Sequence, residues 1–148
     1  MLGPDGLTFI DLGSGFGKPC LAAALVLKKE LKKCIGIEYL DGLYAKSLEL
    51  KEVYDKETTA GPVVEFIKGD FLADTTWSHE VDVLFMNATC FEPHTVTSIS
   101  KTLEDKLKPG AIVIMTTKVL EVTSFRKIGP FKKDMSWGTA TVNIYIKL

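Results

Sequence analysis

Residues 9–17 read Phe-Ile-Asp-Leu-Gly-Ser-Gly-Phe-Gly, an apolar run that ends in an acid and then breaks into glycines at alternate positions. No other stretch restricts the fold as tightly. The apolar run has the character of a buried strand. Gly13, Gly15 and Gly17 lack the Cβ atoms that would disfavour positive φ and hold a ligand away from the backbone. Lys18-Pro19 and the apolar segment from Cys20 to Leu31 predict a helix, with proline suited to its first turn. Strand, glycine turn and helix N-terminus in that order make a nucleotide-cofactor site.

The glycine spacing discriminates between cofactors. A dinucleotide fingerprint, G-x-G-x-x-G, starting at Gly13 would require glycine where Lys18 stands. A phosphate loop of the form G-x-x-x-x-G-K-[ST] occurs nowhere in the chain. The pattern Asp11, Gly13, Gly15, Gly17 instead resembles motif I of class I S-adenosylmethionine-dependent methyltransferases. That resemblance implies that the turn, with Ser14 and Lys18 in it, holds the methionyl half of the cofactor.

The 148 residues suffice for one domain, and 46% hydrophobic with 25% charged residues is a globular balance. No apolar run is long enough to cross a bilayer, and a basic-then-apolar leader is lacking, so an intracellular location is expected. Cys20, Cys34 and Cys90 are odd in number and widely spaced, which predicts neither a disulfide framework nor a metal cluster. A net charge of −1 and a single arginine, Arg126, do not advertise nucleic-acid binding. The basic stretch 28–33 is expected at a helix end, where cations complement the helix dipole.

Strand-like and helix-like segments alternate along the chain. Strands are expected at Thr8–Leu12, Cys34–Glu38, Val63–Lys68, Val81–Asn87 and Ala111–Thr117, with helices at Pro19–Leu31, Leu40–Lys56 and Pro93–Lys108. Two further strands, Ile128–Trp137 and Thr139–Lys147, meet near Gly138. This order predicts an α/β fold: a mostly parallel seven-stranded, Rossmann-like sheet with helices on both faces and an antiparallel last strand. The antiparallel ending again resembles class I methyltransferases. Ligands of such sheets sit at the carboxyl ends of the strands.

Those ends carry chemistry. Glu38 follows Ile-Gly-Ile about 20 residues beyond Gly17, the distance at which an acid accepts ribose hydroxyls. Asp70-Phe71 ends the third strand, offering an acceptor for an exocyclic amine and a ring for a base face. Asn87 follows four apolar residues, Val83–Met86, and an amide there must find partners or face a cavity. It does not stand in the Asn-Pro-Pro-Tyr tetrapeptide of adenine or glutamine N-methylation.

Taken together, Asp-Leu-Gly-Ser-Gly-Phe-Gly, Gly-Ile-Glu, Gly-Asp-Phe-Leu, Asn87 with Phe91, and Asp-Met-Ser-Trp-Gly resemble the catalytic core of the DOT-type (disruptor of telomeric silencing) histone-lysine methyltransferases. The resemblance spans nearly the whole chain. It implies that Asp11, Gly13, Glu38, Asp70 and Phe71 hold the cofactor, that Asn87 lies beside the methyl-transfer centre, and that Phe91 and Trp137 wall a lysine channel. The implied activity is protein-lysine N-methylation with S-adenosylmethionine, leaving S-adenosylhomocysteine. The implied substrate is a histone and the implied location the nucleus.

Departures from the family pattern define the alternatives. Only Asn87 and Phe91 remain of its Asn-Asn-Phe-Ala-Phe segment, and Lys18 replaces a glutamine. The family's channel tyrosine falls at Ile144 in an ungapped match; a bulge near Gly138 would bring Tyr145 there instead. The family's helical segment and cofactor-covering loop before motif I have no counterpart in the residues preceding Thr8, nor is its basic nucleosome-binding tail present. A single cofactor-binding domain, residues 1–148, is therefore expected, its cover being absent, truncated, or supplied by a partner or a second copy. The competing readings are a cofactor-binding module without catalysis and a methyltransferase acting on a small-molecule amine.

Overall fold

The structure is a computed structural model and describes residues 5–148. Seven strands and three helices follow one another as β1 (Leu7–Leu12), α1 (Lys18–Val26), β2 (Leu31–Glu38), α2 (Asp41–Glu57), β3 (Val63–Lys68), β4 (Val83–Asn87), α3 (Pro93–Lys106), β5 (Ile112–Thr116), β6 (Phe125–Met135) and β7 (Gly138–Lys147). A short 3-10 turn, Thr76–His79, precedes β4. The strands form one sheet in the order β3-β2-β1-β4-β5-β7-β6, in which β7 alone runs against the rest. The predicted α/β architecture is the one observed. Chain direction reverses its progress across the sheet between β1 and β4, which makes their carboxyl ends the switch point.

Two cores hold the layers together. On one face Ile10, Leu12, Leu84, Met86, Val113 and Met115 pack with α3, whose Val96, Ile99 and Leu103 recur at helical spacing, and with Trp77. On the other face Phe9, Cys34, Val64 and Phe66 pack with Cys20 and Ala24 of α1 and with Tyr54 of α2. Most expected elements are present with ends shifted by a residue or two. The exceptions are informative.

Helix α1 stops at Val26 rather than continuing to Leu31. Leu31 is 5% exposed and pairs with Leu7 at the start of β2, so the chain must turn before it. The Glu30 and Leu31 amides close that turn by donating to the Leu27 carbonyl at 3.1 and 2.9 Å. The basic stretch 28–33 therefore does not cap a helix. Lys33 sits on β2 and pairs with Glu65 (3.1 Å) and Glu80 (3.5 Å). At the other end of the chain, β6 starts at Phe125, and its irregularity lies between Ile128 and Phe131 rather than near Gly138.

Gly17 joins the turn to α1 with φ +88°, and a Cβ there would lie 2.2 Å from Cζ of Phe66. Substitution Gly17→Ala combines a left-handed backbone with overpacking, and is expected to cost about 3 kcal/mol. Gly110 has φ +87° but open space around it, so Gly110→Ala should cost only about 1 kcal/mol. Urea unfolding of the two variants checks this, and equal losses would show that Phe66 does not press on the turn.

Candidate active site

The glycine turn is built against β2. Amides of Gly13 and Ser14 both donate to the Ile37 carbonyl, at 2.9 and 3.0 Å, which folds the chain back over the end of β2. The Gly15 amide donates to Oε2 of Glu38 at 2.8 Å, while the Leu40 amide donates to Oε1 at 2.9 Å. These bonds fix the Glu38 carboxylate and leave each oxygen a further lone pair for an incoming hydroxyl. Nothing lies within 4 Å of the Cβ position of Gly15, so its backbone faces open space.

Asp11 stands beneath this turn, 1% exposed, with Oδ2 lacking any hydrogen-bond partner; the buried Ser14 Oγ is likewise unpartnered. Burial, reinforced by the neighbouring Glu38 carboxylate, pushes the Asp11 carboxyl up to about 8. A buried acid without a cation holds its proton, and a cation brought to it would restore the carboxylate. Cys34 is also pushed up by burial, to about 12, and Cys20 higher still by burial and the charge of Asp11, so both thiols are inert packing groups.

At the end of β3, Oδ1 of Asp70 accepts the Leu72 amide at 2.9 Å and shapes the turn that follows. Indole Nε1 of the buried Trp77 donates to the Phe71 carbonyl at 3.0 Å and fixes that residue's backbone. Phe71 and Phe91 rings meet with centroids 5.7 Å apart, linking the β3 and β4 ends, and Cε1 of Phe91 lies 3.8 Å from the Cβ position of Gly13. Three expected site segments thus converge.

Asn87 closes β4 and is exposed at the switch point. Its Oδ1 accepts the Thr116 hydroxyl at 2.7 Å and the Thr89 hydroxyl at 2.9 Å, and Thr89 meets Thr117 at 3.0 Å. With Oδ1 so occupied, the amide plane is fixed and its NH₂ is the end offered outward. Thr116 ends β5 as Asn87 ends β4, with Thr117 directly after it, and neither carries a distinguishing signal in the sequence. Tyr39, directly after Glu38, is 69% exposed at the same edge.

The β6–β7 hairpin reaches past these ends. Thr116 pairs with Val142, so residues 138–141 of β7 extend about 13 Å beyond the carboxyl edge of β5. Trp137 stands at the hairpin tip, 52% exposed, without the packing of a closed channel wall. Tyr145 is not at the site. It pairs with Val113, near the amino end of β5, and is 2% exposed, and its hydroxyl accepts the Leu120 amide at 3.1 Å. The shift at Ile128/Phe131 lies in β6 and leaves the facing of β7 side chains unchanged. Tyr145 is a core residue, and Ile144 faces the opposite side of the sheet.

Among the described residues, no three His, Cys, Asp or Glu side chains gather to hold a metal, and no helix is long and apolar enough to cross a membrane.

Comparison with known proteins places this geometry. The family described as Histone methylation protein DOT1 matches residues 2–128. The chain belongs to the DOT1 family. A sequence search of curated proteins finds no match. Among solved structures, an S-adenosylmethionine-dependent methyltransferase from Methanosarcina mazei aligns with TM-score 0.76 at 16% identity, over 99% of this chain and 95% of that one. An RNA methyltransferase from Salinibacter ruber, solved with S-adenosyl-L-homocysteine, aligns with TM-score 0.66 at 23% identity, over 95% and 81%. The rRNA methyltransferase AviRa from Streptomyces viridochromogenes aligns with TM-score 0.64 at 11% identity, over 95% and 77%. These likenesses establish the fold, and family membership establishes an S-adenosylmethionine-dependent methyltransferase core.

The DOT1-family site fits that cofactor on its own terms. It offers an orphaned buried carboxylate where an ammonium needs an acceptor, and glycines where backbone must approach a ligand. The raised Asp11 pKa has a stability consequence. Between its ordinary value of 3.8 and about 8, the folded chain holds a proton that the unfolded chain has released. This group's contribution therefore weakens as pH rises through that window, by up to about 1.4 kcal/mol per unit. Asp11→Asn, neutral throughout, should gain stability relative to the parent as pH rises from about 5 to about 8. A stability difference independent of pH in urea unfolding would show that Asp11 is already ionised.

Proposed function

We propose that the chain transfers a methyl group from S-adenosylmethionine to the side-chain amine of a lysine in a protein. Family membership supports a histone as that protein, and with it a nuclear location. The observation that carries the reading is the pairing, across the β1–β4 switch point, of a cation-ready cradle at Asp11 with an outward amide at Asn87.

Each residue has a task in this reading. Asp11, with Ser14 beside it, accepts the cofactor's ammonium, while backbone amides of the turn from Gly13 to Gly17 and the Lys18 cation meet its carboxylate. Glu38, oriented by the Gly15 and Leu40 amides, accepts the ribose hydroxyls. Asp70 accepts the exocyclic amine, with Phe71 and Tyr39 as the rings nearest the base. When bound, the cofactor supplies a methyl group carried on a sulfonium.

The rest of the chemistry belongs to the chain. A lysine amine has an ordinary pKa of about 10.4 and must lose its proton before it can act as nucleophile. An apolar environment beside a positive charge favours the neutral form. Phe91 and Trp137 supply apolar surface on the substrate side, and Asn87 orients the amine. Positioning and desolvation then carry catalysis without a strong base.

A second reading, a cofactor-binding module without turnover, is supported by the half-exposed Trp137 and the burial of Tyr145, which leave the lysine with few walls. One assay separates the two. Labelled cofactor is offered with histone octamers, nucleosomes, an RNA pool and small amines. Label is expected on protein lysine. Asn87→Ala should lower turnover about 10²-fold with little change in cofactor affinity, whereas Glu38→Ala or Asp70→Ala should weaken cofactor binding itself. Label only on RNA or small amines would overturn the lysine reading. Binding without transfer to any acceptor would establish the module.

A further inference from the structure

Thr117, directly after β5, has φ +67°, and it is the one non-glycine residue with positive φ among the described residues. A branched Cβ makes that conformation costly, and glycine, which stands at every other such position, avoids the cost. The Lys118 amide donates to the Thr116 carbonyl at 2.7 Å, closing a three-residue turn with Thr117 at its centre. With positive φ at the central residue, this is the rarer and strained form of that turn. The Thr117 amide donates to the Thr141 carbonyl at 2.7 Å, so the overhanging β7 holds the turn in place. Strain kept at the rim of a site points to a use for the side chain.

The turn has a visible effect. Successive side chains of a strand point to opposite faces. Thr116 and Thr117 nevertheless both reach the end of β4, Thr116 meeting Asn87 at 2.7 Å and Thr117 meeting Thr89 at 3.0 Å. Only a backbone that leaves strand geometry at residue 117 can do this. Thr116 is buried and acts as a strut, whereas Thr117 is exposed beside Asn87 at the switch point.

Donors and acceptors can be counted along this chain of groups. Oδ1 of Asn87 has two lone pairs, and the Thr116 and Thr89 hydroxyls take both. With the Thr89 proton spent on Asn87, the bond between Thr89 and Thr117 is donated by Thr117. The hydroxyls therefore run in one direction, from Thr117 to Thr89 to Asn87. Thr117 keeps two free lone pairs and Thr89 one, while Asn87 has only N–H donors left to offer. A neutral amine that aims its lone pair at a methyl group needs acceptors for its N–H bonds, and a donor beside it would compete for that lone pair. Of these side chains Thr117 is the best placed to accept.

We propose, building on the lysine reading above, that Thr117 is a catalytic residue whose hydroxyl accepts an N–H of the incoming amine and turns the nitrogen lone pair toward the methyl group. Asn87 orients the amine by setting the direction of the hydroxyl chain. A neutral lysine presents two N–H bonds and a dimethylated one presents none, which gives the test its control. Labelled S-adenosylmethionine is offered with histone octamers, either unmodified or dimethylated on lysine by reductive alkylation. Thr117→Val, close in shape but without the hydroxyl, should lower the transfer rate on unmodified octamers at least about tenfold and on dimethylated ones less than about twofold. Its calorimetric affinity for S-adenosylhomocysteine should stay within about twofold of the parent's. Thr117→Ser should recover most of the loss, and it decides alone if the parent leaves dimethylated lysine untouched. Thr117→Gly, which relieves the backbone, should unfold at no lower urea concentration than the parent and still share the Thr117→Val deficit. Equal losses on both acceptors, no loss in Thr117→Val, or no recovery in Thr117→Ser would overturn the role of Thr117 while leaving the lysine reading intact. A parent that labels no lysine would overturn both.

Discussion

The Phe66 ring occupies the space where side chains at residues 17 and 36 would lie, and the path of the β1–α1 turn follows from that contact. With Gly17 pressed on Phe66 and the Gly13 and Ser14 amides bound to the Ile37 carbonyl, the turn lies close over the end of β2. That closeness brings the Gly15 amide within reach of Glu38. It also roofs Asp11, leaving one carboxylate oxygen with no partner in the protein. A bulkier residue at 17 or 36 would lift the turn, expose Asp11 and free Glu38 together. The tight β1–α1 packing and the cofactor site are one construction.

The carboxyl edge divides at the switch point. On the β1-β2-β3 side the ends present fixed acceptors, with Glu38 and Asp70 held by backbone amides. On the β4-β5-β7 side they present hydroxyls and an amide, with Asn87 fixed by Thr116 and Thr89. Phe71 against Phe91 joins the halves. Charge belongs to one half and uncharged hydrogen-bonding groups to the other, which is the division the proposed reading uses for cofactor and acceptor. The β4-β5-β7 half is the less enclosed, since its hairpin overhangs with an exposed Trp137.

Strand ends were legible because period and punctuation agree there. Glu38 and Asn87 each end an apolar run, Asp11 stands one residue before the end of β1, and Asp70 follows β3 by two residues, so each lies at or near the carboxyl end of its strand. Other features depended on contacts between distant residues. The end of α1 is dictated by the pairing of Leu31 with Leu7, which local helical propensity does not register. The facing of Tyr145 is determined by its register with Val113, and one residue of offset separates the core from the opposite face. Thr116 reads as an ordinary strand residue until its hydroxyl is seen to hold Asn87.

The central claim is that Asp11 waits as a buried acid for a positively charged ligand. Calorimetric titration of S-adenosylhomocysteine at about pH 6.5, in buffers of different ionisation enthalpy, measures the protons released on binding. The account predicts that close to one proton leaves the protein as the ammonium restores the Asp11 carboxylate. It also predicts that Asp11→Asn loses both this release and most of the affinity. Tight binding with no proton released, and undiminished in Asp11→Asn, would contradict it.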